Sequence, residues 1–331
     1  MTAPPALRTA PDLAQVLGPH LFPVLKACRP HAGRLTHVEE CTGGNVSHVF
    51  RVHGEAGSVI VKVRGRQFAR IEIATDPALI ALEHRALDLY HGLLPDMFPQ
   101  VLAFAPDAHA MVMTDVFPDR RTWRQHLDER AATAEECTRL GTALARIHLA
   151  AAGLPPLRDG GDDHFRAEHA YGYCLRAGGH PVLDEACRRL DALPGRQLVL
   201  GDASPKNISL AAGRTAFVDL DNVHHGAPLF DVGYLLGHLV LHHLARPDQL
   251  RPLAGAFLDA YTPDGPWRVD DLLATVTAGV LLYRLEARTV PYPPTAWPAV
   301  ADRMRHQLLR LLDAGPFTVP DLLDTARQVT A

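Results

Sequence analysis

Two short apolar runs, each delivering an acid, constrain this chain more than any other part of it. Leu198-Val-Leu200 leads to Gly201-Asp202, and a polar loop, Ala203-Ser-Pro-Lys206, then places Asn207 five residues after that acid. Ala216-Phe-Val218 leads to Asp219, with another acid at Asp221. Runs this short and apolar read as buried strands. They set a carboxylate, an amide and a second carboxylate at adjacent strand ends. Such a set suits phosphoryl transfer: one acid orients or deprotonates a hydroxyl, and the amide and the other acid hold Mg²⁺ on the phosphates. Either piece alone also reads as a turn, because Asp and Asn side chains hydrogen-bond nearby backbone. The ordered set, with its upstream members, carries the chemistry.

Upstream, the chain reads as β-rich. His37–Cys41, Ser47–Val52 and Ser58–Val63 are expected strands, joined through Thr42-Gly43-Gly44-Asn45 and Gly54–Gly57. A glycine turn lets backbone N–H groups approach a phosphate, which makes Gly43 and Gly44 candidates; a plain hairpin is the alternative. Lys62 lies within Val59-Ile-Val-Lys-Val63. A strand lysine in this setting grips α and β phosphates, and the competing reading is an edge lysine that blocks aggregation. The amphipathic stretch Pro77–Tyr90 is an expected helix whose Glu83 could pair with Lys62, with Glu72 a competing candidate. Phe98–Ala105 and Ala108–Val116 are two further strands. The second contains Met113 and Asp115 and leads into the connection between lobes, where backbone groups would read an adenine edge.

At 331 residues the chain has the length of about two lobes. Its net charge of −4 argues against a general nucleic-acid binder. There is no apolar run of about 18 residues, so no membrane span is expected. Residues 1–36 form a leader with helical spacing over 11–28 and no secretory signal pattern. The five cysteines make no C-x-x-C pair and read as reduced cytoplasmic thiols.

Beyond residue 122 the chain reads as helical. Helices are expected over 131–152, 164–177, 181–192, 272–286 and 297–314, the last followed by a short tail. The acids of Gly160-Gly161-Asp162-Asp163 read as a solvated loop. His148 reads as structural. Asp231 begins a helix, where an acid is favoured, and is expected to accept backbone hydrogen bonds from the Asp202 loop. His238 and His242 have the spacing of two metal ligands but lack a third. Arg284, Glu286 and Arg288 are candidate acceptor contacts, or a solvated cluster at a helix end.

These residues together resemble the aminoglycoside phosphotransferase and choline kinase family over about residues 37–310. The most specific parts are Gly201-Asp202-Ala-Ser-Pro-Lys-Asn207, Val218-Asp219-Leu-Asp221 and Gly226-Ala-Pro-Leu-Phe-Asp231. The N-terminal part also resembles 5-methylthioribose kinase in Gly44-Asn-Val-Ser-His-Val-Phe-Arg-Val52, Val59-Ile-Val-Lys62 and Leu82-Glu-His-Arg-Ala86. The resemblance implies an α+β, protein-kinase-like two-lobe fold: a leader over 1–36, a small β-rich lobe over 37–116 and a mainly helical lobe over 117–331. It implies Asp202 as catalytic base, Asn207 and Asp219 as Mg²⁺ ligands with Asp221 adding a contact, and Lys62 on the phosphates. Two departures stand out: Leu200 replaces the family's His, and the arginine pair of methylthioribose kinases has no clear counterpart.

The implied activity is transfer of the γ-phosphate of ATP to a hydroxyl of a small metabolite or antibiotic, with Mg²⁺ as cofactor and neither nucleic acid nor membrane as partner. A methylthioribose-kinase-like sugar kinase is one alternative. An inactive nucleotide-binding pseudokinase, suggested by Leu200, is another. A protein kinase is disfavoured by the absence of G-x-G-x-x-G, D-F-G and A-P-E features.

Overall fold

Gly18-Pro19 breaks the leader that the sequence reads as one helix. In the computed structural model, which describes residues 12–41, 46–67, 69, 73–262, 270–286 and 298–330, α1 (Leu13–Leu17) is capped by a reciprocal Asp12–Gln15 capping box. It stops at Gly18 (φ +51°), and a 3₁₀ turn over Gly18–His20 feeds α2 (Leu21–Ala32). Proline supplies no N–H, and only glycine enters that φ readily, so a continuous helix is not available here. Both pieces still bury one stripe: Leu13, Leu17, Val24, Cys28 and Ala32 share a core with Phe50, Val52, Val59, Val61 and Val63.

The chain divides into two units, Met1–Arg120 with Ala211–Asp221, and Arg121–Leu210 with Asn222–Ala331. The first holds an antiparallel five-stranded sheet: β1 (Leu35–Glu40), β2 (His48–Gly54), β3 (Gly57–Val63), β4 (Val101–Ala105) and β5 (Ala110–Thr114), in the order β1-β2-β3-β5-β4. Strand alternation sorts β3: Val59, Val61 and Val63 face the leader core, and Lys62 faces the other way. The expected helix over 77–90 opens with a 3₁₀ turn, Pro77–Leu79, before α3 (Ile80–Leu93).

The second unit is mainly helical. It contains α4 (Trp123–Glu129), α5 (Ala134–Ala151), short turns α6 (Asp163–Phe165) and α7 (Gly172–Cys174) around a π-helical stretch Arg166–Tyr171, and α8 (Pro181–Ala192). The helix expected over 164–177 is present from 163 to 174 with its middle wound as a π-helix, and a 3₁₀ turn, Arg176–Gly178, follows it. Next come β6 (Gln197–Val199) and β7 (Ile208–Ser209). The two-residue β8 (Ala216–Phe217) belongs to the first unit, where Phe217 N donates to Met97 O (2.8 Å). Back in the second unit, β9 (His224–Gly226) pairs antiparallel with β6.

Buried on all sides, α9 (Pro228–His242) is a core helix, and it packs on α11 (Asp270–Glu286). Between them in sequence, α10 (Leu250–Tyr261) was not foreseen; Pro252 sits in its first turn, where no intrahelical N–H is needed. It packs closely on α5: a Cβ at Gly141 would lie 2.2 Å from Phe257 O. The chain continues through α12 (Pro298–Asp313), and the expected tail is a helix, α13 (Val319–Thr330). Among the described residues, no helix is long and apolar enough to cross a membrane.

Candidate active site

In the first unit, one buried cation gathers the acids. Lys62 Nζ lies 2.6 Å from Glu83 Oε1 and 2.5 Å from Asp219 Oδ1. Glu83, in the first turn of α3, also accepts from Leu220 N at 3.3 Å, so it orders the segment that carries Asp219. Glu83 is therefore the carboxylate on Lys62, and Glu72 lies outside the described residues. Burial would discharge Lys62, but Asp219, Glu83 and Asp221 together hold its ammonium above the usual lysine value. Burial pushes the Glu83 carboxyl up to about 7 against the pull of Lys62, with Asp219 and Asp221 adding to the rise.

Asp221 pairs with Arg64 (Nη1 to Oδ2, 3.1 Å), which also reaches Thr75 Oγ1 at 2.8 Å. The sequence reading passed over Arg64. The signal was present: it stands two residues beyond Lys62, where strand alternation repeats a face. Asp219 itself has φ +67°, a left-handed conformation that Asp tolerates better than most residues and that costs about 1–3 kcal/mol. Strain of this kind is held where geometry matters.

In the second unit the Asp202 loop is built from its own side chains. A 3₁₀ turn, Pro205–Asn207, closes with Asn207 N donating to Ser204 O. Asn207 Nδ2 donates to Asp202 O (3.1 Å) and Oδ2 (3.2 Å), so the acid and the amide meet as the spacing requires. Behind the loop, Asp231 is fully buried and accepts from Leu200 N (2.6 Å) and Gly201 N (2.8 Å). That is the structural role expected of it. His148 Nε2 adds a third contact to Asp231 at 3.2 Å, and its Nδ1 meets Tyr261 Oη. Gly201 has φ +75°, and a Cβ there would lie 2.3 Å from Asn222 O, so only glycine fits before Asp202.

Arg284 is not the solvated helix-end charge that the sequence allowed. It is 5% exposed, donates to His238 Nε2 (3.0 Å) and Tyr234 Oη (2.6 Å), and lies 3.7 Å from Asp202 Oδ1. His238 thus serves Arg284, and its Nδ1 meets Tyr234 O. Glu286 is half-buried, 3.9 Å from Arg305. Asp162, read as a solvated loop acid, is 1% exposed and fixes β9: it accepts from His225 N and from Arg158, which also donates to Val223 O.

Asp115 is held by Arg51 Nε (2.6 Å) and Ser58 Oγ (2.7 Å), which leaves any nucleotide contact to backbone; Met113 is buried and in register with Ile60. Gly43, Gly44 and Arg288 lie outside the described residues.

Among the described residues, His37, Glu39 and His53 bring ligand-type atoms within 4.8 Å of one another. The two rings stack parallel with centroids 4.0 Å apart, so their in-plane lone pairs do not converge on one ion. This is a cross-strand stacking pair.

His224 gives a pH prediction. Burial pushes its imidazole down to about 4, and Nε2 has no hydrogen-bond partner among the described residues. The unfolded chain takes up that proton near pH 6.5, and the folded chain only near 4, so stability falls as pH drops through this window. At pH 5 the penalty is ~2 kcal/mol relative to pH 7. Urea unfolding of His224→Gln, compared with wild type at pH 7 and pH 5, should show a smaller loss between the two. An equal loss in both proteins would refute the assignment.

Residues 37–272 match the model of the phosphotransferase enzyme family, and the chain belongs to that family. A methylthioribose kinase from Pectobacterium atrosepticum is 25% identical over 259 residues, covering 67% of this chain and 64% of that protein, just under two thirds of its length. Among solved structures, an amicoumacin kinase in complex with AMP-PNP, Ca²⁺ and Ami is 15% identical with a TM-score of 0.53, covering 90% of this chain and 95% of that one. A choline/ethanolamine kinase family protein from Mesorhizobium loti is 17% identical with a TM-score of 0.53, covering 90% and 94%. The α+β fold, with a sheet-bearing N-terminal part and a helical remainder, is the fold of these phosphotransferases.

Proposed function

We propose that this chain is a small-molecule kinase that transfers the γ-phosphate of ATP to a hydroxyl. The observation that carries this reading is Lys62, buried between Glu83 and Asp219 with Asp219 in a left-handed backbone. A buried lysine held charged by fixed acids is a poor stability device and a good phosphate anchor. Asp202 orients and accepts the proton of the acceptor hydroxyl, with Arg284 3.7 Å from its Oδ1.

The donor set also fits a hard divalent cation. In the first unit Asp219 and Asp221 offer carboxylate oxygens, and in the second unit Asn207 offers an amide oxygen, the hard ligand types that Mg²⁺ takes. We assign Mg²⁺ to these residues; when bound it neutralises phosphate charge. Positioning and charge stabilisation supply most of the rate. Free thiols at all five cysteines support work in a reducing compartment such as the cytoplasm.

The test is Mg²⁺-dependent ADP release across aminoglycosides, methylthioribose, choline, homoserine and common sugars. Release that needs one acceptor is expected. ATP binding with no release for any acceptor would favour an inactive nucleotide-binding protein. With the acceptor found, Lys62→Met should lower kcat/KM for ATP by about a hundredfold, because a buried charge-assisted contact to phosphate is lost. Steady-state kinetics check this, and a change below threefold would remove Lys62 from the phosphates.

A further inference from the structure

Lys206 closes a ring of three side chains in the second unit. Its Nζ lies 3.1 Å from Asp202 Oδ2 and 3.1 Å from Asn207 Oδ1, and Asn207 Nδ2 donates back to Asp202 Oδ2. The Pro205–Asn207 turn brings residues 202 and 206 together, and both side chains are close to nine-tenths buried (11% and 13% exposed). A solvent-exposed pair of this kind would contribute little. Here the ammonium is partly desolvated and bonded to two groups that are themselves bonded to each other.

We propose that Lys206 is a positioning residue for phosphoryl transfer, an ammonium that fixes the Asp202 carboxylate and the Asn207 amide in one working arrangement. The inference rests on the kinase reading above and adds a residue to it. Its physical content is a choice of orientation. With Nδ2 toward Asp202 and Oδ1 toward Lys206, the amide of Asn207 satisfies both neighbours. Flipped, it would set its NH₂ against an ammonium and its oxygen against a carboxylate. Asp202 O and Oδ2 draw Nδ2 toward them, and Lys206 reinforces the same choice from the other end, so that Oδ1 is the end turned away from Asp202, the atom type that a hard cation requires. Lys206 also fixes one oxygen of Asp202 while Arg284 stands 3.7 Å from the other, so the acid is held from both sides. Misplacement of a reacting group by about 1 Å costs on the order of a hundredfold in rate.

Lys206→Met and Lys206→Arg, made in the full chain, test this. Lys206→Met should lower kcat by about ten- to a hundredfold with KM for ATP within about twofold of wild type, because orientation is lost and binding is not. Lys206→Arg, which keeps the charge and can span two oxygens, should recover most of kcat. Hydrogen exchange read over residues 201–208 should accelerate in Lys206→Met and return toward wild type in Lys206→Arg, with exchange elsewhere unchanged.

A kcat within about threefold of wild type in Lys206→Met overturns the proposal. So does an equal loss in both variants accompanied by a lower melting temperature, which would mark a merely structural lysine. If wild type turns over no acceptor, the kinase reading fails on its own, and loop exchange decides about Lys206: unchanged exchange in Lys206→Met overturns the positioning role.

Discussion

Asp202→Asn is expected to lower kcat by about a hundredfold or more while KM for ATP stays nearly unchanged. The substitution keeps the shape of the side chain and removes its charge and its proton-accepting capacity. Two cations, Lys206 at 3.1 Å and Arg284 at 3.7 Å, would then face a neutral amide in place of a carboxylate. Lys62 and Glu83, the proposed nucleotide anchors, lie in the first unit and are untouched. A loss confined to kcat is thus the signature of a group that acts on the acceptor hydroxyl. Single-turnover measurement of ADP formation at saturating ATP separates this from slow product release. Turnover within tenfold of wild type would remove Asp202 from the chemistry and leave the phosphate-binding half of the reading standing.

The fold was legible where periodicity was strong. Alternation in Val59–Val63 fixed both the strand and the side to which Lys62 points, and the helix over 181–192 appears with the bounds expected of it. It was less legible where several weak propensities compete. The helix expected over 164–177 widens to a π-helix over Arg166–Tyr171 and ends in a 3₁₀ turn, Arg176–Gly178, and the leader breaks at Gly18-Pro19. The acids were readable as an ordered set because their chemistry needs that order.

Their cationic neighbours were harder to read. Arg284 stands on α11, 82 positions beyond Asp202 (284 − 202), so spacing along the chain held no signal for the contact. Asp162 shows the same limit from the other side. A Gly-Gly-Asp-Asp run looks solvated in one dimension, yet the strand that Asp162 secures is more than sixty residues away. Lys206 is the instructive miss, because its four-residue spacing from Asp202 was visible; what was lacking was the 3₁₀ turn that makes the spacing a contact.

Asp231→Ala should be the most destabilising substitution at the candidate site, costing about 3–5 kcal/mol and roughly 10 °C in melting temperature. Its two oxygens accept from Leu200 N and Gly201 N and meet His148 Nε2, with no exposed surface. Alanine would leave two backbone donors buried with nothing to accept them, and each such loss costs about 1–3 kcal/mol before any cavity term. Asn at this position should recover little. One amide oxygen can serve one donor, but the NH₂ would face the other N–H, donor against donor.

Because those two donors immediately precede Asp202, the same change should loosen this proposed catalytic acid and lower turnover even in the fraction that stays folded. Urea unfolding gives the stability term, and activity measured well below the unfolding midpoint gives the catalytic one. If Asp231→Ala unfolds at the wild-type urea concentration, the carboxylate is not what holds the loop. The conformation of Gly201, with its φ of +75°, would then have to secure Asp202 through the backbone alone.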